Sequence, residues 1–571
     1  MLKPWWESWP GRLEYELRAL EAAGIPHELD AQAFADGAVI IRLKPKVCGS
    51  EISLAAKFPD SYPYTRFEVS APDLDLTRHQ HPFSKNLCLI GRGSHNWHVT
   101  DTLARMIKEQ LPRVLASVRG NTGALAADLE EHQGEPFSDY YCYAKNAVLL
   151  IDSSWSIERS VTAGELTIGV EGPAKLLLRG AVLEVRDTSG RVLAQADPAI
   201  SRLYPVVLGG RWVREQEPVL EESAKRFLAG LSRKYPFLKY RQWQSVLGGG
   251  IEVIGAIFPE EVRWQEKSDG WVFVVHLNER RKGFRKCEKA YFVRAGRAGS
   301  EDFVARIPEL RALRDRRIAV VGLGCLGAPS CIEFARASVG ELRILDHDAV
   351  DAGTTVRWPL GLPAVGVQKP AAIEQFISVH YPHTRVQAFD HRVGAVRNGG
   401  PSEIEILDSF LKGVDLLYDA TAELGVQHLL SDLAMSYRIP YICVSATNGA
   451  WGGRVVRICP GKTPGCWVCL QHALDEGVIP VPPEAPGEFV QPEGCANPTF
   501  TGASFDIAQV WAVGVRLALG TLTGESNHGY PNTDWDVAVL SLRQPGGRPL
   551  VPCWETFALQ RHPSCVVCAE R

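Results

Sequence analysis

Short apolar runs alternate with helical periodicity in the second half of the chain. Residues 318–321 are continuously apolar, as in a buried parallel strand, and a glycine-rich stretch follows them at once. A helical pattern opens at Ala328-Pro329, where a proline in the first turn costs no hydrogen bond. A second apolar run, 342–345, ends at Asp346. This order of strand, glycines, helix and strand predicts a parallel α/β sheet whose carboxyl edge binds a ligand.

A different pattern covers residues 1–145. Three leucines near the start recur at helical spacing, and period-two alternation in three later stretches predicts an antiparallel meander. The positions are Leu13, Leu17 and Leu20 for the helix and Val39, Ile41, Leu43, Ile52, Leu54, Phe67 and Val69 for the strands. Apolar positions from 103 to 115 return to helical spacing. We therefore expect an α+β domain in this part of the chain.

The middle of the chain, residues 146–300, is expected to be a β-rich linker domain. The apolar stretches 182–185 and 192–193 flank a turn sequence and predict a hairpin, and 271–275 predicts another strand. No spacing in this part indicates a catalytic site, so we expect it to position the two ends. Residues 301–571 carry the parallel pattern, which makes the chain a multidomain α/β protein.

The glycine-rich stretch between the first strand and the helix indicates a nucleotide. Gly322, Gly324 and Gly327 would let the backbone approach a phosphate, whose charge the N-terminus of a helix attracts. Asp346 follows at the distance, about twenty residues, from which an acid binds a ribose hydroxyl. A tight turn without a ligand is the alternative for a bare glycine pattern, but the surrounding strand, helix and acid favour a nucleotide.

The residues that follow help to choose between a dinucleotide and a triphosphate. A nicotinamide-dependent oxidoreductase should show a hydride-transfer constellation, and the sequence has none. It has a second acid, Asp348, and two cations, Arg357 and Lys369, which suit a triphosphate. Asp419, an acid at a strand end, suits the magnesium ion of ATP. Any one of these residues could be a surface charge, but their order favours ATP with Mg²⁺.

From residue 318 onward, the sequence resembles the adenylation domain of ubiquitin-activating enzymes and of their bacterial ThiF-family relatives in thiamin and molybdopterin synthesis. The resemblance implies a Rossmann-like fold in which Asp346 binds the ribose. Arg357 and Lys369 would contact phosphates, and Asp419 would work with magnesium.

Two details of this resemblance stay open. Thr421-Ala422 follows Asp419 where relatives usually carry further polar residues. The family also uses an arginine upstream of the first strand, and both Arg306 and Arg311 qualify.

Four cysteines indicate a metal site. They form two C-x-x-C pairs, and two such pairs bring four thiolates to one tetrahedral zinc ion. The cysteines are Cys466, Cys469, Cys565 and Cys568. The family resembled above places its pairs in the same way, one after the sheet and one near the C-terminus. Two disulfides or a redox pair are the alternatives to a structural Zn²⁺ site, which we expect to take no part in the chemistry.

Residues 1–145 resemble the catalytic core of ubiquitin-conjugating enzymes. The shared features are the order of helix, meander and helix, the sequence F-P-x-x-Y-P at 58–63, His81-Pro82, a cysteine between leucines, and Trp97. The resemblance makes Cys88 the thioester cysteine. Without the flanking motif, a buried core cysteine would be the simpler interpretation.

One departure concerns the group that stabilises the oxyanion near Cys88. The usual H-P-N is His81-Pro82-Phe83 in this chain, so the asparagine that serves this purpose in the family is missing. Asn86 and His79 are the candidates to replace it.

A third cysteine lies in a proline- and glycine-rich stretch, 478–502. This composition predicts a loop, and loops carry mobile catalytic groups. In ubiquitin-activating relatives, a crossover loop at this place carries the cysteine that attacks the acyl-adenylate, which implies this role for Cys495. A thiolate is a strong nucleophile whose thioester stays reactive towards another thiol. A loop cysteine of no consequence or a stray metal ligand is the alternative.

The composition limits the kinds of partner and the cellular compartment that we expect for this protein. The 571 residues are 45% hydrophobic, and the formal charge of −4 without a basic block argues against nucleic acid as the main partner. The N-terminus soon becomes charged, unlike a secretory signal, and no apolar run reaches the roughly twenty residues that span a membrane. The 14 cysteines do not form a secreted disulfide pattern, so we expect a reducing cytoplasm.

These features predict an activating and a conjugating enzyme fused in one chain. The adenylation domain would activate the glycine-like C-terminus of a protein, Cys495 would capture it as a thioester, Cys88 would receive it, and a target amine would take it last. The order of domains resembles the fusion enzyme of bacterial CBASS antiphage operons, in which the activated protein is a cGAS-like nucleotidyltransferase (CD-NTase). A ubiquitin-like partner is the related alternative, and adenylation domains of this family pair as homodimers.

Two other classes of protein stay open. A sulfur-carrier adenylyltransferase for cofactor synthesis would explain the C-terminal part but leave Cys88 without a function. A non-catalytic scaffold would need none of Cys88, Lys369, Asp419 and Cys495, so their joint presence argues against it.

Overall fold

The chain folds into two compact units, here called the N-terminal and the C-terminal unit. The computed structural model describes residues 3–47, 49–90, 97–118, 134–171, 178–246, 249–263, 266–279, 287–396, 399–487, 501–524, 526 and 528–569. The N-terminal unit comprises Met1–Ile151, Trp155–Ala196 and Tyr204–Gly296, and the C-terminal unit comprises Asp152–Ser154, Asp197–Leu203 and Arg297–Arg571. Among its described residues, the N-terminal unit contains a four-stranded sheet, a separate two-stranded pair and a nine-stranded sheet.

The first sheet of the N-terminal unit is antiparallel, with helices packed against it. Its strands are β1 (His27–Leu29), β2 (Ile40–Leu43), β3 (Lys46–Val47), β4 (Ser50–Glu51), β5 (Leu54–Lys57) and β6 (Glu68–Ser70). The helices are α1 (Trp5–Ser8), α2 (Pro10–Ala22), α3 (Ala31–Ala35), α4 (Leu103–Glu109) and α5 (Leu111–Val118). The sheet runs in the order β1-β2-β5-β6, and β3 pairs with β4 separately. Alternating strand residues such as Ile41 and Val69 share one core with Leu20 of α2 and Ile107 of α4.

A buried carboxylate joins α2 to the start of α4 inside this core. The Glu16 side chain accepts hydrogen bonds from the Tyr62 hydroxyl and from Arg12 on one oxygen, and from the Leu103 N–H at 2.8 Å on the other. Burial raises the pKa of Glu16, although these hydrogen bonds act in the opposite direction. Each oxygen of this buried acid therefore has a partner, as a buried polar group requires.

The second sheet of the N-terminal unit closes on itself. Its strands are β7 (Tyr143–Ile151), β8 (Ala163–Val170), β9 (Arg179–Asp187), β10 (Val192–Gln195), β11 (Val206–Arg214), β12 (Gln244–Val246), β13 (Gly249–Arg263), β14 (Glu266–Glu279) and β15 (Cys287–Arg297). The order is β10-β9-β7-β15-β14-β13-β11-β8 with β12 on β13, and β8 also pairs with β9, which closes the ring. Closure leaves few exposed strand edges.

Both faces of the closed sheet carry apolar side chains. One face forms a core that includes Trp212, Phe273 and Val293. Helix α7 (Ala224–Lys234) covers part of the other face, while the short helix α6 (Pro198–Leu203) belongs to the C-terminal unit. The predicted hairpin is present as the antiparallel pair of β9 and β10.

The C-terminal unit is built on one eight-stranded sheet. Its strands are β16 (Arg317–Val321), β17 (Glu341–Asp346), β18 (Arg385–Asp390), β19 (Leu416–Asp419), β20 (Tyr441–Ala446), β21 (Gly452–Ile458), β22 (Val537–Arg543) and β23 (Pro549–Phe557). Its helices are α8 (Ser300–Val304), α9 (Gly327–Arg336), α10 (Lys369–His380), α11 (Glu403–Leu411), α12 (Leu424–Tyr437), α13 (Trp467–Asp475), α14 (Ser504–Thr523) and α15 (Val566–Ala569). Within the described ranges, the short 3-10 segments are Phe137–Tyr140, Pro236–Lys239, Pro308–Leu313, Ala352–Val356, Leu362–Ala364 and Asn448–Ala450.

In the strand order β18-β17-β16-β19-β20-β21-β22-β23, β17 and β18 lie on one side of β16 and β19 lies on the other, so the order of the strands reverses between β16 and β19. The strands from β18 to β20 are parallel, and the later pairs are antiparallel. Helices α9, α10 and α14 cover one face and α11, α12 and α13 the other. Covering both faces explains why residues 318–321 are apolar without alternation. Ligands bind at such a switch point in α/β sheets, beyond the carboxyl ends of the strands.

One helix of the described residues, α14, is long and apolar enough to cross a membrane by length and composition alone. Half of its most apolar window is buried inside the protein. Its residues Val510 and Leu517 lie in the core beneath β20 and β21, and this packing accounts for the apolar composition of the helix.

Candidate functional site

The glycine loop after β16 has a backbone that only glycine fits at two positions. Gly322 has φ +84°, and a Cβ there would lie 2.8 Å from the backbone of Ala420. A Cβ on Gly327 would lie 1.8 Å from the Gly322 carbonyl oxygen. At Gly324 a Cβ would meet nothing within 4 Å, so the loop is open on this side. The loop therefore packs tightly against its neighbours at Gly322 and Gly327 and leaves its backbone accessible at Gly324. A phosphate can bind only to a backbone that is accessible in this way.

Asp346, at the end of β17, braces this loop. One carboxylate oxygen accepts a hydrogen bond from the Leu323 N–H at 2.6 Å, and the other accepts one from the Asp348 N–H at 2.8 Å. The side chain is largely buried but still lines the cavity beside the loop. Each carboxylate oxygen has two lone pairs, so both can accept a further hydrogen bond from a ligand.

The cavity at the switch point has a volume of about 900 Å³. Its floor is formed by the ends of β16 and β17 and by the residues after β18 and β19. The predicted site residues that line it are Gly322, Gly324, Asp346, Asp348 and Lys369. This volume lies in the range of about 300–1,000 Å³ that small-molecule sites occupy.

Lys369 and Asp348 form an ion pair at the rim of this cavity. The Lys369 ammonium lies 2.7 Å from an Asp348 carboxylate oxygen, and the Lys369 N–H donates to the Asp348 carbonyl oxygen at 2.8 Å. Burial by itself would raise the pKa of Asp348, but the hydrogen bond and charge of Lys369 outweigh it, and the pKa is lowered. Because Lys369 also begins α10, its ammonium is held beside the site by the backbone.

Arg357 lines a different cavity of about 440 Å³, together with Trp358 and Trp511. The Trp358 indole N–H donates to the Leu323 carbonyl oxygen at 2.8 Å, which ties this segment to the glycine loop. Burial raises the pKa of the Cys325 thiol, and the charges of Arg357 and Lys369 act in the opposite direction. Both predicted cations therefore act electrostatically on the glycine loop, although only Lys369 lines the larger cavity.

Asp419 ends β19 but is fully buried and does not line the cavity. One carboxylate oxygen accepts hydrogen bonds from the Thr421 N–H at 2.9 Å and hydroxyl at 2.8 Å, and the other accepts one from the Tyr441 hydroxyl at 2.7 Å. Burial raises the pKa of Asp419 despite these bonds. In this arrangement, Asp419 braces the strand ends, and its role towards magnesium stays a prediction.

Neither candidate for the upstream arginine lines the cavity. Arg306 and Arg311 are both exposed, and Arg311 pairs with Glu301 at 3.1 Å.

Sequence reasoning missed five polar residues that line the cavity. They are His347, His391, Arg392, Thr421 and Glu423. Arg392 also helps to lower the pKa of Asp348. The signal was available in principle, because His391 and Arg392 directly follow β18, and the carboxyl ends of parallel strands meet at one edge.

The four predicted metal-binding cysteines lie together in the C-terminal unit. Neighbouring sulfur atoms are 3.5 Å apart for Cys466 and Cys565, 3.6 Å for Cys469 and Cys568, and 3.8 Å for Cys466 and Cys469. A tetrahedral zinc site with Zn–S bonds of about 2.3 Å requires sulfur–sulfur distances of about 3.8 Å. The donor set and its dimensions therefore fit Zn²⁺.

Cys88 is half-buried beside a cavity of about 200 Å³ in the N-terminal unit. Other residues around this cavity are Arg66, Glu68, His81, Asn86, Trp97 and Tyr140. The Cys88 N–H donates to the His79 carbonyl oxygen at 2.7 Å, and the neighbouring Leu87 N–H donates to the Val69 carbonyl oxygen at 2.7 Å. The cysteine is thus fixed by its backbone at the edge of a pocket.

The two predicted candidates for oxyanion stabilisation differ in position. Asn86 lines the Cys88 cavity, and its amide nitrogen donates to Glu68 at 3.0 Å. The His79 side chain does not line the cavity; its Nδ1 lies 3.2 Å from Glu135. The geometry therefore favours Asn86 over His79.

Cys495 lies outside the described residues, but the chain on both sides of its segment meets at Asn448. The Asn448 carbonyl oxygen accepts a hydrogen bond from the Ala485 N–H at 2.9 Å, and its side-chain oxygen accepts one from the Thr501 N–H at 3.2 Å. Asn448 follows β20, at the carboxyl edge of the sheet. Ala485 and Thr501, which are described residues on either side of that segment, are therefore both held at this edge.

Comparison with known proteins identifies both ends of the chain. Residues 299–525 match the ThiF family, and residues 20–150 match Prokaryotic E2 family B. The uncharacterized protein y4oA of Sinorhizobium fredii is 30% identical, and the alignment covers 98% of this chain and 97% of that protein. The chain belongs to the same family as y4oA. It carries a ThiF-family adenylyltransferase domain at the C-terminus and an E2-family domain at the N-terminus, an order consistent with an activating–conjugating fusion.

Two further proteins match a little under half of this chain. The adenylyltransferase and sulfurtransferase uba4 of Emericella nidulans is 26% identical, covering 45% of this chain and 48% of that protein. The crystal structure of E. coli MccB has a TM-score of 0.35 and 12% identity, covering 48% of this chain and 73% of that chain. Both family resemblances seen in the sequence are confirmed at the level of the domain, and the ThiF-family relatives support an enzyme that adenylates.

Proposed function

We propose that the C-terminal unit binds ATP with Mg²⁺ and adenylates the C-terminal carboxylate of a protein. The observation that carries the proposal is the cavity at the switch point, where an accessible glycine loop, three acids and two cations meet. ATP would supply the adenylyl group and the pyrophosphate leaving group.

The residues of the cavity have distinct tasks in this proposal. Backbone N–H groups of the glycine loop and the start of α9 would bind phosphate oxygens. Asp346 would hold the loop in shape and accept a hydrogen bond from a ribose hydroxyl. Lys369 would exchange its ion pair with Asp348 for one with a phosphate, which would leave the Asp348 carboxylate to bind Mg²⁺.

The proposed reaction has four steps. A carboxylate oxygen of the partner attacks the α-phosphorus, and pyrophosphate leaves. The Cys495 thiolate attacks the acyl carbonyl, and AMP leaves with the electron pair of the broken bond. The Cys88 thiolate displaces the Cys495 thiolate, and a target amine then displaces the Cys88 thiolate and loses a proton as the amide forms.

The partner in this proposal is a protein with a glycine-like C-terminus. The fused order of an E2-family and a ThiF-family domain supports a CD-NTase as the activated protein, with conjugation to a target in the bacterial cytoplasm as antiphage defence. A bacterial ubiquitin-like protein is the alternative substrate.

A sulfur-carrier adenylyltransferase is the second candidate function. The resemblance to uba4 favours it, because that relative is named an adenylyltransferase and sulfurtransferase. The Cys88 pocket counts against it, because a sulfur-carrier enzyme needs no second thioester cysteine.

The test uses the parent protein and the products of neighbouring genes. Each product with a glycine-like C-terminus is purified and mixed with the enzyme, Mg²⁺, ATP and labelled pyrophosphate. The true partner should stimulate exchange of pyrophosphate into ATP, and the same partner without its last residue should not. A thiocarboxylate in place of an amide-linked conjugate would favour the sulfur-carrier alternative.

We expect one Zn²⁺ per chain, held by Cys466, Cys469, Cys565 and Cys568 and confined to a structural role. Metal analysis of protein purified without chelator should give about one zinc per chain, because four thiolates make a complete ligand set. Cys565→Ser should lower the zinc content and the melting temperature, whereas Cys553→Ser, a change at an exposed cysteine of the same unit, should alter neither. A fully folded, metal-free parent protein would contradict the assignment.

A homodimer is the proposed assembly. Exposed apolar side chains on the C-terminal unit support it, among them Val356 and Phe505, which border the smaller cavity and are 73% and 72% exposed. Light scattering during size-exclusion chromatography should give twice the mass of the chain, and the mass of a single chain would contradict the proposal.

A further inference from the structure

Residues that do not belong to the first sheet contact the chain around Cys88. We call residues 78–88 the Cys88 loop and residues 135–141 the support segment. The support segment immediately precedes β7, the first strand of the closed sheet, and it contacts the Cys88 loop at several points.

The first contact fixes the backbone of Cys88 through His79. His79 has φ +59°, a left-handed conformation that is uncommon for a residue with a side chain. Glu135 accepts a hydrogen bond from the His79 N–H at 2.9 Å and lies 3.2 Å from its Nδ1. The His79 carbonyl oxygen in turn accepts the Cys88 N–H at 2.7 Å. Glu135 therefore stabilises the left-handed conformation of His79, the residue that accepts the hydrogen bond of the Cys88 N–H.

The second contact forms a wall of the Cys88 cavity. The Tyr140 ring meets the His81 ring edge-on at 4.9 Å, and both residues line the cavity together with Cys88. His81 Nδ1 accepts hydrogen bonds from the N–H groups of Phe83 and Ser84, at 3.2 Å and 3.1 Å. Tyr140 thus packs against a ring that organises the turn before Cys88.

The closed sheet binds both the support segment and the Cys88 loop. Glu260 of β13 accepts hydrogen bonds from the Ser138 N–H at 2.7 Å and hydroxyl at 2.9 Å. The next residue, Glu261, pairs with Arg78 in the Cys88 loop. Two adjacent residues of one strand therefore hold the support segment and the loop side by side.

We propose that Glu135 and Tyr140 are positioning residues for Cys88, and that the closed sheet holds both of them in place. The inference rests on the proposed function, because it takes Cys88 as the acceptor of the acyl group. Glu135 acts through His79 and Tyr140 acts through His81, and together they hold the Cys88 backbone in one geometry for attack on the incoming thioester. This assigns a task to the central part of the chain, in which the sequence shows no catalytic spacing.

The test compares truncating and conservative variants of the full-length protein. Glu135→Ala and Tyr140→Ala remove the contacts, whereas Glu135→Gln keeps a hydrogen-bond acceptor and Tyr140→Phe keeps the ring. Asp139→Asn is the matched control, because Asp139 is exposed in the same segment and its nearest cation, Arg294, is 3.6 Å away. Two rates are measured: alkylation of Cys88 by iodoacetamide, followed by peptide mass spectrometry, and transfer of the acyl group from Cys495 to Cys88.

The expected result separates positioning from general loss of structure. The two alanine variants should alkylate Cys88 about fivefold faster, because a lost hydrogen bond or ring contact lets the loop open. They should transfer the acyl group about tenfold or more slowly, since small misplacements of a nucleophile are costly. Glu135→Gln, Tyr140→Phe and Asp139→Asn should stay within about threefold of the parent protein in both rates.

Each other outcome has a distinct meaning. Unchanged alkylation and transfer in both alanine variants would overturn the positioning role. A second outcome combines faster alkylation in the alanine variants with full conjugation by Cys88→Ala. That outcome would overturn the proposed function of Cys88, but the structural support of its backbone would stand. Equal losses of transfer in Tyr140→Phe and Tyr140→Ala would assign the effect to the hydroxyl and overturn positioning by the ring.

Discussion

Replacing Lys369 by alanine is expected to lower partner-dependent exchange of pyrophosphate into ATP by at least about a hundredfold. The ammonium of Lys369 is the one predicted cation that lines the large cavity, where its present partner is the half-exposed Asp348. A phosphate that displaces Asp348 would form an ion pair with this ammonium. The ion pair would strengthen in the transition state, because negative charge moves onto the leaving pyrophosphate. Isotope exchange with the parent enzyme and its protein partner measures the effect.

The control for this prediction is Lys412→Ala. Lys412 is an exposed lysine of the same unit that follows α11 and is absent from the lining of the cavity. Its replacement should leave exchange unchanged. Both variants should melt at the temperature of the parent protein, because an ion pair with an exposed member contributes little to stability. Undiminished exchange by Lys369→Ala would remove this residue from the proposed site.

Asp419 needs a different variant, because the structure gives it a packing role. Asp419→Ala would leave the Thr421 N–H without its acceptor, at a cost of about 1–3 kcal/mol, and would leave the Tyr441 hydroxyl with only the more distant Gln427 carbonyl oxygen, at 3.1 Å. A loss of exchange in that variant would therefore mix folding with chemistry. Asp419→Asn keeps the size of the side chain and one oxygen acceptor. Lost exchange with an unchanged melting temperature in Asp419→Asn would support a role towards magnesium.

Some parts of the candidate site are indicated by residue order and by short spacings in the sequence. The order of the glycine loop, Asp346 and Lys369 along the chain predicts one nucleotide site, and the structure brings all three to one cavity. The C-x-x-C spacing predicts that each cysteine pair can bind one metal ion, and the four sulfur atoms lie together. The spacing within a pair is local information, whereas the fold brings the two pairs together across 99 residues.

The parts that the sequence could not predict depend on contacts between distant segments. Glu135 holds His79 from 56 residues away, and Trp358 fastens the glycine loop from 35 residues away. Asp419 stands at the predicted strand end, but its burial by Tyr441 became visible only when β19 and β20 were side by side. Closure of the second sheet by β8 and β9 also lacks a local signature. Pairing of strands is set by the whole fold, whereas apolar alternation reports only which faces are buried.

Replacing either relay cysteine is expected to abolish the final conjugate, each at a different stage. Cys495→Ala should still form the acyl-adenylate and exchange pyrophosphate but carry no thioester on either cysteine, because the first thiolate is missing. Cys88→Ala should accumulate a reductant-sensitive adduct on Cys495. Cys142→Ala and Cys553→Ala are matched controls, since each removes an exposed cysteine, one from each unit, and both should conjugate normally.

The measurement is a gel of enzyme, partner, ATP and Mg²⁺ for each variant, run with and without thiol. Added thiol cleaves a thioester by taking over the acyl group and releasing the cysteine, whereas the final conjugate persists because its bond is an amide. Cys495→Ser should trap the partner as an oxyester that survives thiol and transfers slowly to Cys88. If Cys495→Ala gave full conjugation, Cys88 would attack the adenylate directly, and Cys495 would have no part in the relay. If Cys88→Ala gave full conjugation, the E2-family domain would act by binding alone, and the amine would have to attack the thioester on Cys495.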